Sequence, residues 1–549
     1  MKKNGKTAAL IITIAMCLAL LAACGGDGGD SGPSAPLPPA PPAPGTSQPA
    51  NPGGTTQIEA PPEDVVNFAE HIDITLDSNM LGVINTTHPG ATGSPARWAY
   101  MLIYYRLVEN LGGRGFEPGL ATEWSTTDHK TWKFTLREGV AFHNGDAFTA
   151  QDVVNTINIS QAANAGVAIQ AWRSVDRVNV INPHSIEIVL NNVNVDFLYD
   201  ISATGGSILN KRAIDASPEE GFWIGTGAFY VTEFETNDYS MYARNENYWG
   251  EAPYTKSLRL RFVPEISARA IMLENNETQI VMTGGLSPVD ADRFLADPNF
   301  NILSVMQNGP FLLGFNVNDP ITGDVNFRKA VAHALYRPDV AMAAFGTGGV
   351  APTDDAYWGV YMEFKHPNIP LREYNVDKAK EYLAASSWNG EEVEIAVTLA
   401  TVADGVVMIQ HQLGQIGIPV VINRMDTAGF GSYITYADNS GQMMAHAATM
   451  ELYASSIRPH LMPNGSLNRA SYNNPTVTEM LERAGTVTDE AGRRAIYHQV
   501  QEIMHEDVPY INIMYREFMA AAVPGVGGIT FSSNMTHDLR YIYWDLDAG

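Results

Sequence analysis

Cys24 is the residue of this chain whose place in the sequence most directly suggests chemistry. It is one of only two cysteines in 549 residues and stands in "LLAACGG", where an apolar run meets a glycine-rich one. A disulfide framework and a multi-cysteine zinc or iron–sulfur site are excluded by the count, since the other thiol, Cys17, lies inside the apolar run. Elsewhere the reactive types form no pattern. The 13 histidines are scattered, and none shares metal-ligand spacing with an obvious second ligand. There is no Gly-x-Ser-x-Gly elbow, no His-Glu-x-x-His helix and no Gly-x-x-x-x-Gly-Lys phosphate loop. The 60 acids are too many to nominate a catalytic pair, and against 34 bases they leave a net charge of −26. Phosphate binding needs clustered Lys and Arg, so nucleic acid is not expected as a partner. These absences argue against an enzyme, and neither a cofactor nor a metal is expected.

The elements around Cys24 give it a role. Met1–Lys6 carry three lysines, and Ala8–Ala23 is a 16-residue run with only Thr13 polar. A spanning helix usually needs about 20 apolar residues; a basic start, an apolar middle and small residues at the end describe a secretory signal. Leu21-Ala22-Ala23-Cys24 resembles the lipobox of bacterial lipoproteins, where the chain is cut before the cysteine and the thiol is alkylated by diacylglycerol. Gly25–Pro62 follows, with eleven prolines and eight glycines in 38 residues, and reads as a tether. Residues 1–23 are thus expected as signal peptide and 24–62 as lipidated cysteine and tether.

From Glu63 onward strand and helix patterns alternate. "TWKFTL" puts Trp132, Phe134 and Leu136 on one face and Lys133, Thr135 on the other, a half-buried strand. "NGD" at 144–146 makes a turn, and Thr149 with Asp152 three residues on opens a helix burying Val153 and Ile157. A second helix carries Phe327, Val331 and Leu335 up to Pro338; a third runs from Asn375 towards Asn389-Gly390. Two more are joined at Gly485–Asp489, the second aligning Ile496, Val500 and Met504 and ending at Pro509, after which "YINIMY" alternates as a strand. The fold class is therefore α/β, mixed with α+β features, in several domains.

Four segments in order carry a family likeness: "LATEWSTTDHKTWKFTLREGVAFHNGDAFTAQDVV", "IGTGAFYVTEFETNDYSMYARNENYWG", "LGFNVNDPITGDVNFRKAVAHALYRPDV" and "YNNPTVTEMLERAGTVTDEAGRRAIYHQVQEIMHEDVPYINI". The chain resembles the bacterial extracellular solute-binding proteins of family 5, the dipeptide, oligopeptide and nickel type that feed ABC importers. The resemblance implies a periplasmic-binding-protein-like fold of two lobes closing on a ligand, with an extra domain on the first lobe. Mapped here, lobe I is 63–103, 222–306 and 522–549, the extra domain 104–221 and lobe II 307–521, with hinge strands near 305–310 and 520–525. It further implies a monomer that captures a small solute, most readily a peptide, and delivers it to a permease and its ATPases. The place would be the outer face of the cell membrane, lipid-anchored, with a Gram-positive surface favoured over a periplasm. The alternatives are an anionic or non-peptide ligand (an opine, a saccharide, a chelated metal) and a sensory receptor or adhesin on the same scaffold.

Peptide binders of this family commonly anchor the ligand's amine on an aspartate in a Trp-x-x-Asp-x-x-Asp-Pro segment. Here the match is "ELYASSIRP": with Pro459 as the proline, Leu452 replaces Trp, Ser455 the first Asp and Arg458 the second. The anchor charge is reversed, which would repel an ammonium and favour a carboxylate or phosphate. Glu451 could serve as a shifted acid, and Tyr453 lies between. Tyr357 and Trp358 could line the cleft, as could Asn316 past the hinge and Thr86, Thr87 and His88 after the first strand of lobe I. His143, in the turn of the first segment, is expected to hold structure.

Overall fold

The computed structural model describes residues 55–57, 67–76, 96–110, 115–164, 168–235, 238–282, 286–398, 403–434, 441–448, 450–463, 465–534 and 537–548. The signal segment, Cys24, most of the tether, Thr86, Thr87 and His88 lie outside the described residues. One piece of the expected tether does not behave as one. Thr55–Gln57, free of Pro and Gly and rich in β-branched Thr, pairs antiparallel with Thr530–Ser532.

One long sheet runs through the body. In order its strands are Val420–Met425, Val393–Thr398, Met443–Ala447, Phe311–Phe315, Tyr510–Ala522, Ile280–Val281, His71–Leu76, Ser257–Phe262, Tyr239–Arg244 and Phe229–Glu235, with Asn301–Met306 and Gly349–Val350 also paired to Tyr510–Ala522. That last strand joins two cores. Its first half pairs with Phe311–Phe315 and its second with Asn301–Met306. Ile511, Ile513 and Met514 pack with Phe327, Val331 and Ile395 in one core, whereas Phe518 and Ala520–Ala522 pack with Ile72, Leu258 and Phe531 in another. The strand thus changes cores between Met514 and Phe518, a few residues before the expected second crossing. Residues 510–515 are all buried rather than alternating, because the strand sits between neighbours with both faces covered.

A third core lies around a separate four-stranded sheet, Ala121–Thr126, Thr131–Leu136, Ser185–Leu190 and Val175–Asn182. Trp132, Phe134 and Leu136 face inward and Lys133 and Thr135 outward, as their alternation requires. The helix Ala150–Ala163 begins where the Asp152 carboxylate accepts the Thr149 N–H at 2.8 Å. His143 keeps its turn in place: its Nε2 donates to the Gly227 carbonyl at 3.1 Å and its Nδ1 accepts from the Gly225 N–H at 3.2 Å. A fourth core packs Tyr357, Trp358 and Phe364 against Val477, Leu481, Tyr497 and Val500, on the helices Pro475–Ala484 and Glu490–Asp507.

Helix ends differ from the sequence expectation where side chains compete with the backbone. The helix expected to reach Asn389-Gly390 is Val376–Ala384. Beyond it the Ser386 hydroxyl bonds the Leu383 carbonyl at 2.7 Å, and the Ser387 N–H bonds the Asp324 carboxylate at 2.7 Å. Pro338 does not merely limit the preceding helix, Val325–Ala334; it lies in the first turn of the next one, Arg337–Phe345.

Candidate functional site

The segment after the strand Met443–Ala447 leaves the sheet and forms one wall of the site. The buried Asn308 side chain fixes its exit by donating to the Met450 and Glu451 carbonyls at 3.0 and 2.8 Å. A 3-10 turn, Ala454–Ile457, and a helical turn, Arg458–Leu461, follow, with Pro459 at a first-turn position that needs no N–H. The facing wall is "NNVNVD", Asn191–Asp196, and the short helix Phe197–Ser202. Asn194 shapes it: its Oδ1 accepts the Asp196 N–H at 3.0 Å and its Nδ2 donates to Asp200 Oδ2 at 2.9 Å.

The two walls, whose neighbouring residues Phe197 and Ala454 belong to different cores, touch through side chains. The rings of Tyr199 and Tyr453 stack with centroids 4.3 Å apart and planes 18° from parallel. The Tyr199 hydroxyl donates to Glu363 at 3.3 Å, and Asp196 and Ser455 line the same cavity from opposite walls. Two cavities adjoin these walls. The larger, about 880 Å³, is lined among others by Arg173, Asn194, Asp196, Asp200, Ser455 and Arg458. The smaller, about 40 Å³, is lined among others by Arg106, Thr204, Glu451 and Asn534. Tyr453 lines both.

Burial governs the charges here. It pushes the Asp200 carboxyl up to about 7, against the Asn194 hydrogen bond and the nearby Arg458. Asp196 is raised for the same reason, resisted by the nearby Ser455, Arg493 and Arg458. Glu363 is also raised by burial, although the Ala454 N–H and Arg493 favour its charged form.

The sequence candidates divide accordingly. Glu451, Tyr453, Ser455 and Arg458 come together on one wall. Glu451 faces the small cavity, where its Oε2 accepts from the Asn534 side chain at 2.6 Å. Ser455 and Arg458 face the large one. Arg458 is neither a surface residue nor an isolated cation, because the opposite wall brings Asp196 and Asp200 towards it. Tyr357 and Trp358 were expected at the cleft and are in the fourth core instead. Tyr357 stacks on Tyr510 at 4.3 Å and its hydroxyl meets His460 Nδ1 at 2.8 Å; Trp358 is fully buried, its Nε1 donating to the Glu363 carbonyl at 2.8 Å. Two large aromatic surfaces are better removed from water than left at a polar opening. Asn316 is a structural turn residue: Nδ2 donates to the Gly441 carbonyl at 2.9 Å and Oδ1 accepts the Asn318 N–H at 3.0 Å. Sequence reasoning missed Arg173, Asp196, Tyr199 and Asp200. For Asp196, Tyr199 and Asp200 the signal is the asparagine-rich "NNVNVD" ahead of a short helix, a pattern of side chains that bond their own backbone; Arg173 has none.

Among the described residues no group of three or more His, Cys, Asp or Glu is arranged to hold a metal ion. Nor is any described helix long and apolar enough to cross a membrane.

A family model described as "Bacterial extracellular solute-binding proteins, family 5 Middle" matches residues 115–474. The nickel-binding periplasmic protein of Escherichia coli strain K12 is 22% identical over 467 residues, covering 79% of this chain and 88% of that protein. The dipeptide-binding protein of the same organism is 24% identical over 460 residues, covering 75% and 83%. Among solved structures, the ABC transporter-associated periplasmic binding protein DppA from Helicobacter pylori, in complex with the peptide STSA, superimposes with a TM-score of 0.75 at 21% identity, covering 87% of this chain and 99% of that one. Its fold is the two-lobed one of periplasmic binding proteins.

Proposed function

We infer the function of this protein from one premise: the chain belongs to the bacterial extracellular solute-binding proteins of family 5. It is the substrate-binding component of an ABC importer, enclosing a small solute and handing it to a membrane permease. The observation that carries the reading is the 880 Å³ cavity, whose walls come from elements anchored in separate cores. A volume in the usual range for ligand sites, between walls carried by different cores, suits capture by enclosure rather than bond cleavage. The relatives named for dipeptides and the neighbour holding STSA support a peptide as the solute.

The cores support a division into lobe I around Ile72, Leu258 and Phe531, lobe II around Phe327, Ile395 and Tyr497, and an extra domain around Trp132 and Phe197. Glu451, Tyr453, Ser455 and Arg458 form the lobe II side of the ligand site. Cys24 is the lipid-bearing residue that holds the body at the outer face of the membrane, and residues before it are removed. Two or more acyl chains suffice for stable anchoring.

Native mass spectrometry of protein purified without refolding tests the reading. A bound small molecule, released on unfolding and chemically unchanged after incubation, is the expected result. Conversion of added peptides to products would overturn it.

A further inference from the structure

The segment expected as tether enters the body at Thr55–Gln57, and what it touches there leads to the small cavity. It pairs antiparallel with Thr530–Ser532, Thr55 opposite Ser532, Thr56 opposite Phe531 and Gln57 opposite Thr530. Among the described residues the two form a sheet of their own, so Thr530–Ser532 has no other strand beside it. Phe531 and Ser532 are nevertheless buried, at 1% and 0% exposure. Main-chain groups shut away from water need partners, and Thr55–Gln57 is the strand that supplies them.

A relay of side chains continues from this pairing. Ser532 Oγ donates to Asn534 Oδ1 at 2.6 Å. With its oxygen so engaged, the Asn534 amide presents Nδ2 to Glu451 Oε2, again at 2.6 Å. The turn between is fixed on both sides: the Ser532 N–H donates to His537 Nδ1 at 3.2 Å, and the Ser533 carbonyl accepts the Asn308 N–H at 2.8 Å. Asn308 is the residue whose side chain holds the Met450 and Glu451 carbonyls. Glu451 is therefore gripped twice, at its main chain by Asn308 and at its carboxylate by Asn534. Phe531 packs in the core of Ile72 and Leu258, whereas Met450 and Ala454 pack in that of Tyr497 and Val500. The Asn534–Glu451 bond thus joins two cores, between residues that both line the small cavity.

We propose that residues 55–57 brace the solute site: they hold Thr530–Ser532 in place, and through it position Asn534 to clasp Glu451. The proposal rests on the solute-binding reading and adds a conformational control on that site. A hydrogen bond accepted by a carboxylate is among the stronger ones, and Asn534 reaches it only while its own strand is held. A chain shortened to residue 63, the boundary that composition alone suggests, would lack the brace.

Amide hydrogen exchange of the full chain, purified from membranes and read without added solute, tests this. Thr55→Pro, Thr56→Pro and Gln57→Pro combined remove every main-chain N–H of the segment. Exchange should speed up at least about tenfold in Phe531–Asn534 and, across the cavity, in Glu451–Ile457, the order expected for losing one hydrogen bond to a carboxylate. Asn534→Ala should release Glu451–Ile457 to the same degree, and adding the three prolines to it should release that stretch no further. Ser532→Ala, which keeps both strands and frees only the Asn534 amide, should act in the same direction more weakly. Cys24→Ser, which keeps the strand, should change nothing, and thermal melts establish that each variant is folded. Faster exchange confined to Phe531–Asn534 would overturn the proposal, as would additive effects of the prolines and Asn534→Ala. Either result leaves the solute-binding reading standing, because that reading falls only if native mass spectrometry finds no trapped solute or added peptides are converted.

Discussion

At the scale of single residues, burial decides which charges matter. His537 has no exposure, sits against Phe531 at 4.6 Å, and accepts the Ser532 N–H on Nδ1 at 3.2 Å. Desolvation pushes its imidazole down to about 3 from an ordinary 6.5. Unfolding therefore takes up a proton below pH 6.5, and the stability held in this neutral histidine is lost as pH falls from 6.5 towards 3. The loss reaches roughly 5 kcal/mol at most. Denaturant melts across that window should show a steeper acid limb for the wild type than for His537→Gln; equal limbs would refute the assignment. A second residue-scale expectation concerns Asp355, which meets Arg337 at 2.5 Å and accepts the Arg372 N–H at 2.6 Å. Asp355→Ala leaves a buried guanidinium unpaired and should destabilise the protein by about 3–5 kcal/mol in equilibrium unfolding.

At the scale of elements, local chemistry explains what the sequence made legible and what it did not. The alternation of Trp132, Phe134 and Leu136 and the Asp152 cap are local signals, and the strand and helix lie where these residues put them. The Asn389-Gly390 stop misleads because Ser386 and Ser387 end the helix earlier, Ser387 through a bond to distant Asp324. Tyr357 and Trp358 show the same limit: their burial depends on a strand about 150 residues away, whose Tyr510 ring and Tyr515 hydroxyl receive them. The helix Phe197–Ser202 is held to the wall opposite by Tyr199 stacking on Tyr453. Tyr199→Ala should weaken retention of the solute about tenfold in dissociation kinetics, since it removes an aromatic pair and its shared buried area. Tyr199→Phe, keeping the stack and losing only the Glu363 bond, should cost much less.

At the scale of the whole molecule, the proposed capture and the proposed anchoring can be tested separately. If separately cored bodies close on the solute, small-angle scattering should record a smaller radius of gyration with the native ligand than after its removal. Cys24→Ser should release the protein from the membrane fraction while leaving affinity in solution unchanged; a loss of affinity would tie the tether to the site. By itself the sequence determined the class of fold, the four ordered segments of the family, and the thiol with its Pro/Gly-rich neighbour, because periodicity, capping and composition are properties of neighbouring residues. It also picked out one wall of these cavities, Glu451 to Arg458, because that wall is one continuous stretch. Only the tertiary structure decided what faces it. Asp196, Tyr199 and Asp200 lie more than 250 residues earlier in the chain, and their meeting with Ser455 and Arg458 is set by how separate cores pack, which no local pattern encodes.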